Sequence, residues 1–559
     1  MSVNNNLNQL ALSPIRRNVM ETNQILQNLI PPTVSYSTEG NLLIIGAEDL
    51  ARLAADKLLH MSNLVILATD PITDQDENHL EKVMNSAPNV ECFYNKMISI
   101  KGFLGQFQVI VNKDELENDN NSYVELSAAA IRKPHFDIIL DLSLTPCLNL
   151  EMPPPGYFYV GQDLIKLNDA LEQIPELIGE FEKPRYVKIN ADLCAHHRSG
   201  IDGCNRCLNF CPADAVKSIK NKIEVDPYLC HGAGSCSSAC PTGAISYDLP
   251  TPQSLHHYLH KLVTQYIEQT DIAPVILFHD ASSAHQITDE LAADVLPIEL
   301  EETTVSAIDH WMSSLAWGAR QVVILNSPAT APTLTQMLQG EIQLANEILN
   351  EIALPQRIQL IDDLASITPL IDTSRNWPKL EANEFIKKTK RNTFFDAIDH
   401  LNSQSANIQS SLAIANVPYG LVSINQDNCT LCLSCAAICP TQALNDGGDK
   451  PALTFTEQNC VQCGLCESAC PEKIVSLTPQ INFDRETRHS ALALKEEIPF
   501  ECIVCGVPFA TQSMVSNMLN KIGEHSAFSG NIERLKMCGD CRVKDMFQDI
   551  LNDPESQLR

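Results

Sequence analysis

The stretch Cys429-Thr430-Leu431-Cys432-Leu433-Ser434-Cys435-Ala436-Ala437-Ile438-Cys439-Pro440 decides how this chain is built. Three cysteines two residues apart can wrap their thiols around one point. The fourth stands three residues further on, before a proline. The pattern returns at Cys460-Val461-Gln462-Cys463-Gly464-Leu465-Cys466-Glu467-Ser468-Ala469-Cys470-Pro471. An iron–sulfur cubane needs four converging thiolates, and in two-cluster ferredoxins the cysteine before proline serves the other cluster. Cys429, Cys432, Cys435 and Cys470 therefore read as one [4Fe–4S] set, and Cys460, Cys463, Cys466 and Cys439 as a second. Zinc knuckles and disulfide frameworks do not repeat this spacing with Cys-Pro closing each run.

An upstream array repeats the theme with two departures. It runs Cys194, Cys204, Cys207, Cys211-Pro212, then Cys230, Cys236, Cys240-Pro241, so the two arrays hold 15 of the chain's 21 cysteines. A nine-residue loop, Ala195-His196-His197-Arg198-Ser199-Gly200-Ile201-Asp202-Gly203, replaces the first two-residue turn. Ala233 stands where the second run should carry its middle cysteine. Cys194, Cys204, Cys207 and Cys240 form a third [4Fe–4S] set, which leaves Cys211, Cys230 and Cys236 for a fourth. Three readings of that depleted site stay open: a [3Fe–4S] cluster, which is favoured, a site-differentiated [4Fe–4S] cluster with a fourth ligand such as His231 or Ser235, or a dead site. His231 and Ser235 are otherwise expected as solvated loop residues. The His196-His197-Arg198 loop is either a surface insertion or a basic docking element that tunes a nearby cluster, and its histidines are not read as metal ligands.

A last cysteine group, Cys502-x2-Cys505 and Cys538-x2-Cys541, makes two knuckles of the zinc-ribbon kind. Four thiolates in paired knuckles suit tetrahedral structural zinc, with a rubredoxin-like iron or another Fe–S cluster as rivals. The intervening Thr511–Gly523 stretch reads as an amphipathic helix, with Met514, Met518 and Ile522 at helical spacing. Cys92 and Cys147 have no partners by spacing and read as buried thiols.

Composition sets outer limits. With 559 residues, 44% of them hydrophobic, the chain has material for several cores. A net charge of −30 disfavours nucleic acid and anionic membranes and favours a basic protein surface. No apolar run is long enough for a membrane span, and the N-terminus lacks a signal pattern. Cysteines kept as metal-binding thiolates fit a reducing cytoplasm.

Between the cysteine arrays the pattern is α/β. Leu42–Ile45 and Leu64–Ala68 read as strands around a helix near Asp49–His60, with Asp70 ending the second strand. The dinucleotide fingerprint fails at Gly46-Ala47-Glu48-Asp49-Leu50-Ala51, where two carboxylates would repel a pyrophosphate. A Rossmann-like scaffold without nucleotide is expected, with a hairpin over Gly102–Val111 and a strand over Phe136–Leu142. Met152-Pro153-Pro154-Pro155-Gly156-Tyr157 reads as a rigid linker. A second parallel-sheet domain is expected from strands Val275–Phe278, Val295–Glu299, Gln321–Leu325 and Arg357–Ile361 and helices Val305–Trp317 and Thr333–Leu349. Trp311 and Trp317 are assigned to its core, and no catalytic pairing is read there. The basic run Lys387-Lys388-Thr389-Lys390-Arg391 is expected to be a solvated helix end.

These pieces give an α/β and α+β multidomain chain: flexible leader 1–39, Rossmann-like domain 40–182, ferredoxin-like module 183–250, second α/β domain 251–380, helical linker 381–418, second ferredoxin-like module 419–482 and CxxC/CxxC module 495–559. The loop Cys194–Cys204, Gly156-Tyr157, Gly179-Glu180-Phe181-Glu182-Lys183-Pro184 and Lys536-Met537-Cys538-Gly539-Asp540-Cys541-Arg542 resemble large bacterial 4Fe–4S binding proteins associated with formate dehydrogenases. The middle α/β domain faintly resembles the delta subunit of methyl-viologen-reducing hydrogenase, without its cysteines. That resemblance implies electron transfer to a redox partner such as a formate dehydrogenase, or support of such an enzyme's assembly. The cysteines by themselves imply a multicluster relay of single electrons. A redox enzyme with substrate at the three-thiolate cluster, and an assembly factor, stand beside it.

Overall fold

The computed structural model describes residues 14–23, 31–71, 83, 85–113, 123–288, 290–354, 356–367, 389–405, 411–415, 417–448, 450–522 and 532–552. Near the N-terminus five parallel strands lie in the order Glu91–Phe93, Asn63–Ala68, Asn41–Gly46, Ile138–Asp141, Tyr157–Tyr159. The central strand is wholly buried, which is why it reads as an unbroken apolar run. On one face, helices Glu48–Lys57 and Leu164–Gln173 supply Ala51, Ala55, Leu167 and Ala170 to the core. The other face is closed differently from a doubly wound fold. There a small antiparallel sheet, Met97–Lys101, Gln108–Asn112 and Tyr123–Glu125, packs Ile100, Val109 and Val111 against Leu43, Ile45 and Val65. At the failed fingerprint the buried Glu48 turns back to Arg52 Nε (2.8 Å) and accepts from the Tyr94 hydroxyl (2.8 Å). Negative charge thus stands where a nucleotide phosphate would need donors.

The second α/β unit has four parallel strands, in the order Val295–Leu300, Val275–Asp280, Gln321–Leu325, Ile358–Ile361. Helices Pro252–Thr270, Ile308–Ala316 and Pro332–Glu351 cover it, and Trp311 and Trp317 are fully buried among them. The same core continues through Phe394, Phe395 and Ala397 of helix Lys390–Ser403 into Tyr419, Ile481 and Phe483 of the second cysteine module. That continuity fixes the downstream module on the α/β unit.

Three expectations are corrected by this packing. The leader is not wholly loose: residues 14–22 are helical, Val19 is buried in the large core, and Arg16 Nη1 donates to the carbonyls of Leu291 and Ala292 (both 2.9 Å). Thr33–Thr38 is a strand paired with Gly179–Pro184. The linker 381–418 carries core residues and the strand Ser411–Ala413, which joins the sheet of the second cysteine module. The basic run is not a solvated end, because Arg391 is buried; Lys387 and Lys388 lie outside the described residues.

Candidate iron–sulfur sites and the junction between them

Both cysteine arrays fold on one plan. In the downstream module, strand Gly420–Ile424 pairs with Val475–Asn482, hairpin strands Leu444–Asp446 and Ala452–Phe455 lie between, and short helices Ser434–Ile438 and Leu465–Ala469 carry Cys435 and Cys466. The upstream module repeats this with Val187–Ile189 on Ile245–Tyr247, hairpin Val216–Ile219 and Lys222–Val225, and helices Arg206–Asn209 and Ser235–Ala239. In both, the cysteine before proline accepts a hydrogen bond at sulfur from the amide four residues on. Ala443 N donates to Cys439 Sγ and Ala215 N to Cys211 Sγ, each at 3.3 Å.

Cys429, Cys432, Cys435 and Cys470 line one cavity together with Leu431, Leu433, Leu453 and Val475. Burial, aided by the nearby thiols of Cys439 and Cys460, raises the Cys463 thiol to about 11. Burial likewise pushes Cys207 up to about 12, aided by Cys240, Cys204 and Cys194. Buried thiols crowded together resist ionising unless cations neutralise them. Four soft thiols around an apolar hollow are the donor set for a [4Fe–4S] cluster, so the residues fit the group. Hydrogen bonds to sulfur, such as Gln462 Nε2 on Cys460 Sγ (3.3 Å), are a lever on its potential.

The depleted set behaves differently. Burial raises the Cys236 thiol well above its usual value, and Cys230 and Cys211 stand close enough to add to the shift. Ala233 is buried against Ala331 and Leu334, with Met152 beside them, so an apolar wall fills the place of the missing cysteine. The Thr304 hydroxyl donates to the Ala233 carbonyl. Neither suggested fourth ligand is a solvated loop residue. The buried Ser235 donates its hydroxyl to Phe210 O (2.7 Å), and burial, then the Lys183 charge, lowers the basicity of His231. Lys183, which the sequence reading did not single out, donates to the carbonyls of Tyr228 and Cys230 (both 2.9 Å). Burial brings its ammonium down to about 8.

The nine-residue loop is a hairpin whose strands His197–Arg198 and Ile201–Asp202 pair. His196 is buried, with its ring nitrogens on Cys204 O (2.9 Å) and Ser218 Oγ (2.8 Å), and His197 Nδ1 meets Asp202 (2.7 Å). The loop is an inter-module contact. Its strand Ile201–Asp202 rests on helix Leu465–Ala469, and a Cβ at Gly203 would come within 2.9 Å of Leu465 Cγ. The Cys204 thiol is near enough to oppose ionisation of Cys463. Two cysteine arrays far apart in sequence therefore meet side by side. Adjacent side chains brace the junction: Lys390 Nζ donates to Ser237 O (2.9 Å) and Ser238 O (2.6 Å), while Arg391 donates to Gln458 O, Pro418 O (2.9 Å) and Cys460 O (2.5 Å).

In the C-terminal module the thiols of Cys502, Cys505, Cys538 and Cys541 all lie within 4.8 Å of one another. Burial would raise the Cys502 thiol, but amide hydrogen bonds led by Cys538 N, at 3.2 Å from its sulfur, bring it down to about 6. Helix Gln512–Ile522 lies between the knuckles, where the methionine spacing put it. Cys92 and Cys147 are half-buried rather than buried.

Comparison with known families agrees with this geometry. Residues 428–475 match a 4Fe–4S dicluster domain family, and residues 186–244 match a second. The chain carries two 4Fe–4S dicluster domains. A stretch of 77 residues is 35% identical to part of the indolepyruvate oxidoreductase subunit IorA of Pyrococcus horikoshii, covering 13% of this chain and 11% of that one. The chain thus spans about a tenth of that relative's length. Among the described residues no helix is long and apolar enough to cross a membrane.

Proposed function

We propose that this protein relays single electrons between redox partners through a row of iron–sulfur clusters. The observation that carries the reading is the junction of Cys204 with Cys463. Around it the thiol sets fall in one order. Cys429, Cys432, Cys435 and Cys470 adjoin Cys439, Cys460, Cys463 and Cys466 through Cys435 and Cys466. The second set adjoins Cys194, Cys204, Cys207 and Cys240 across the modules, and Cys207 and Cys240 adjoin Cys236 of the depleted set. Clusters bound there supply one-electron redox chemistry. The chain's own residues hold the four sets in register, exclude water and donate hydrogen bonds to sulfur. Cys432, the exposed member of the first set, marks the end where a partner would dock. A basic partner surface suits the net charge of −30. A formate dehydrogenase is a candidate by resemblance alone. Zinc is the ion proposed for Cys502, Cys505, Cys538 and Cys541.

Iron and sulfide counts with EPR on anaerobically purified protein test the relay. Three to four clusters reducible by dithionite support it, and ferredoxin modules that hold zinc or nothing after reconstitution sink it. A second reading has one observation of its own: a cavity of about 440 Å³ with Cys230, Arg185, Tyr186 and the Lys188–Asp248 ion pair (2.7 Å) in its wall. A substrate anion bound there would act at the three-thiolate cluster. Small carboxylates that shift that cluster's EPR signal and no other would favour this enzyme.

A further inference from the structure

Lys183 and Arg391 come from unrelated parts of the fold, yet they make the same contact in the two ferredoxin modules. Lys183 stands on strand Gly179–Pro184, which pairs with Thr33–Thr38. Arg391 stands in the first turn of helix Lys390–Ser403. Each reaches the backbone that leads into the second cysteine run of its module. Lys183 Nζ donates to Tyr228 O and Cys230 O (both 2.9 Å). Arg391 donates to Gln458 O and, at 2.5 Å, to Cys460 O. Cys230 and Cys460 open those runs, and Tyr228 and Gln458 each lie two residues before them. The same two carbonyls are therefore held by a cation in both modules.

Among the described residues neither cation forms an ion pair. The acids they feel are engaged elsewhere. Asp226 accepts the Tyr228 amide (2.9 Å), and Glu457 gives its oxygens to Gln480 Nε2 and Asn482 Nδ2 (both 2.8 Å). The charges lie instead against aromatic rings, with Lys183 Nζ 5.3 Å from the centroid of Tyr36 and Arg391 Cζ 4.7 Å from that of Tyr419. Cations near the other two sets are matched by acids. Lys495 near Cys429 pairs with Glu497 (3.0 Å), and Arg206 near Cys204 pairs with Glu341 (3.2 Å). Lys390, on the carbonyls of Ser237 and Ser238, faces the buried carboxylates of Asp309 and Glu341.

A cluster that takes one electron gains one negative charge, and an unmatched cation beside it in a poorly screened interior favours the reduced form. We propose that Arg391 and Lys183 raise the potentials of the clusters held by Cys439, Cys460, Cys463 and Cys466 and by Cys211, Cys230 and Cys236. Both are positioning residues that act through the peptide of a ligand, and the inference rests on the relay reading. The second and fourth sets of the row are then its electron wells. An electron delivered by a reducing partner rests there while the first and third sets stay oxidised.

The test is an anaerobic, EPR-monitored redox titration of the full chain at pH 7, after iron has been counted. R391Q and K183Q remove each charge, and R391K and K183R keep it. C466A and C236A assign the two clusters by the signal each removes. Each glutamine variant should lower the reduced-to-oxidised ratio of its own cluster at fixed potential about tenfold or more, a shift of about 59 mV for one electron. The charge-keeping variants should stay near wild type, and the Cys429-set signal should not move. If the glutamine variants shed their clusters, the wild-type titration decides, because the Cys460-set cluster must reduce before the Cys429-set cluster. Intact clusters with unmoved potentials overturn the inference and leave the relay standing, as does an equal fall in R391Q and R391K. Wild-type protein without iron at these sets fails the relay itself, and the inference with it.

Discussion

Gly203 and Leu465 touch across the two ferredoxin modules so closely that a single added methyl would stand 2.9 Å from the leucine Cγ and 2.6 Å from Ala195 O. A loop that looks like an insertion is thus the surface on which two candidate cluster ligands, Cys204 and Cys463, approach.

Substituting that glycine should separate the modules without emptying them. G203V is expected to cost roughly 1–3 kcal/mol through overpacking. Iron and sulfide per chain should hold near the wild-type value while electron exchange between the modules slows. Rapid-freeze EPR after sub-stoichiometric reduction reads the exchange. Unchanged exchange in a folded G203V protein would remove the junction from the relay.

Arg391 is the buried strut of the same junction. R391M would strand the carbonyls of Gln458, Pro418 and Cys460, at a cost of roughly 3 kcal/mol. Thermal melting under anaerobic conditions checks this, and iron should be lost first from the Cys460 set. A melt within a degree of wild type would contradict the role.

The depleted site admits a gain-of-ligand experiment. A233C places a thiol where Ala233 now faces Ala331 and Leu334. A [3Fe–4S] signal in the oxidised wild-type protein should vanish in A233C, with about one iron more per chain. A site that binds no iron in either protein would reduce the upstream module to a single cluster.

Glu302 makes stability depend on pH. Burial, then the nearby Asp280 and Glu301 carboxylates, raise its pKa from 4.5 to about 7. The folded chain therefore holds this proton more tightly than the unfolded one. Its stabilising contribution is complete below about pH 4.5 and is lost as pH rises through about 7. E302Q should melt higher than wild type at pH 8, by an amount equivalent to roughly 1–3 kcal/mol, and nearly with it at pH 5. An equal shift at both values would exclude this carboxyl as the source.

Local rules made the two dicluster modules legible, because closely spaced cysteines ending in Cys-Pro are the pattern by which a short chain wraps thiols around a cluster. Both parallel sheets were legible for a similar reason: a strand buried on two faces must be apolar throughout, as Asn41–Gly46 and Gln321–Leu325 nearly are. What stayed hidden was set by tertiary partners. Arg391 has the sequence of a solvated helix end, and only the carbonyls gathered around it make it a core residue. The hairpin His197–Asp202 gives no sign of the leucine it rests on.

One measurement bears most directly on the continuous row of clusters: EPR of the fully reduced protein beside variants lacking one cluster at the junction. With C466A, which breaks the Cys439, Cys460, Cys463 and Cys466 set, the signal of the Cys194, Cys204, Cys207 and Cys240 cluster should lose its spin–spin broadening and saturate at lower microwave power. A signal identical in wild type and C466A, with the other clusters intact, would mean that the two modules do not communicate, and the relay would fail at its centre.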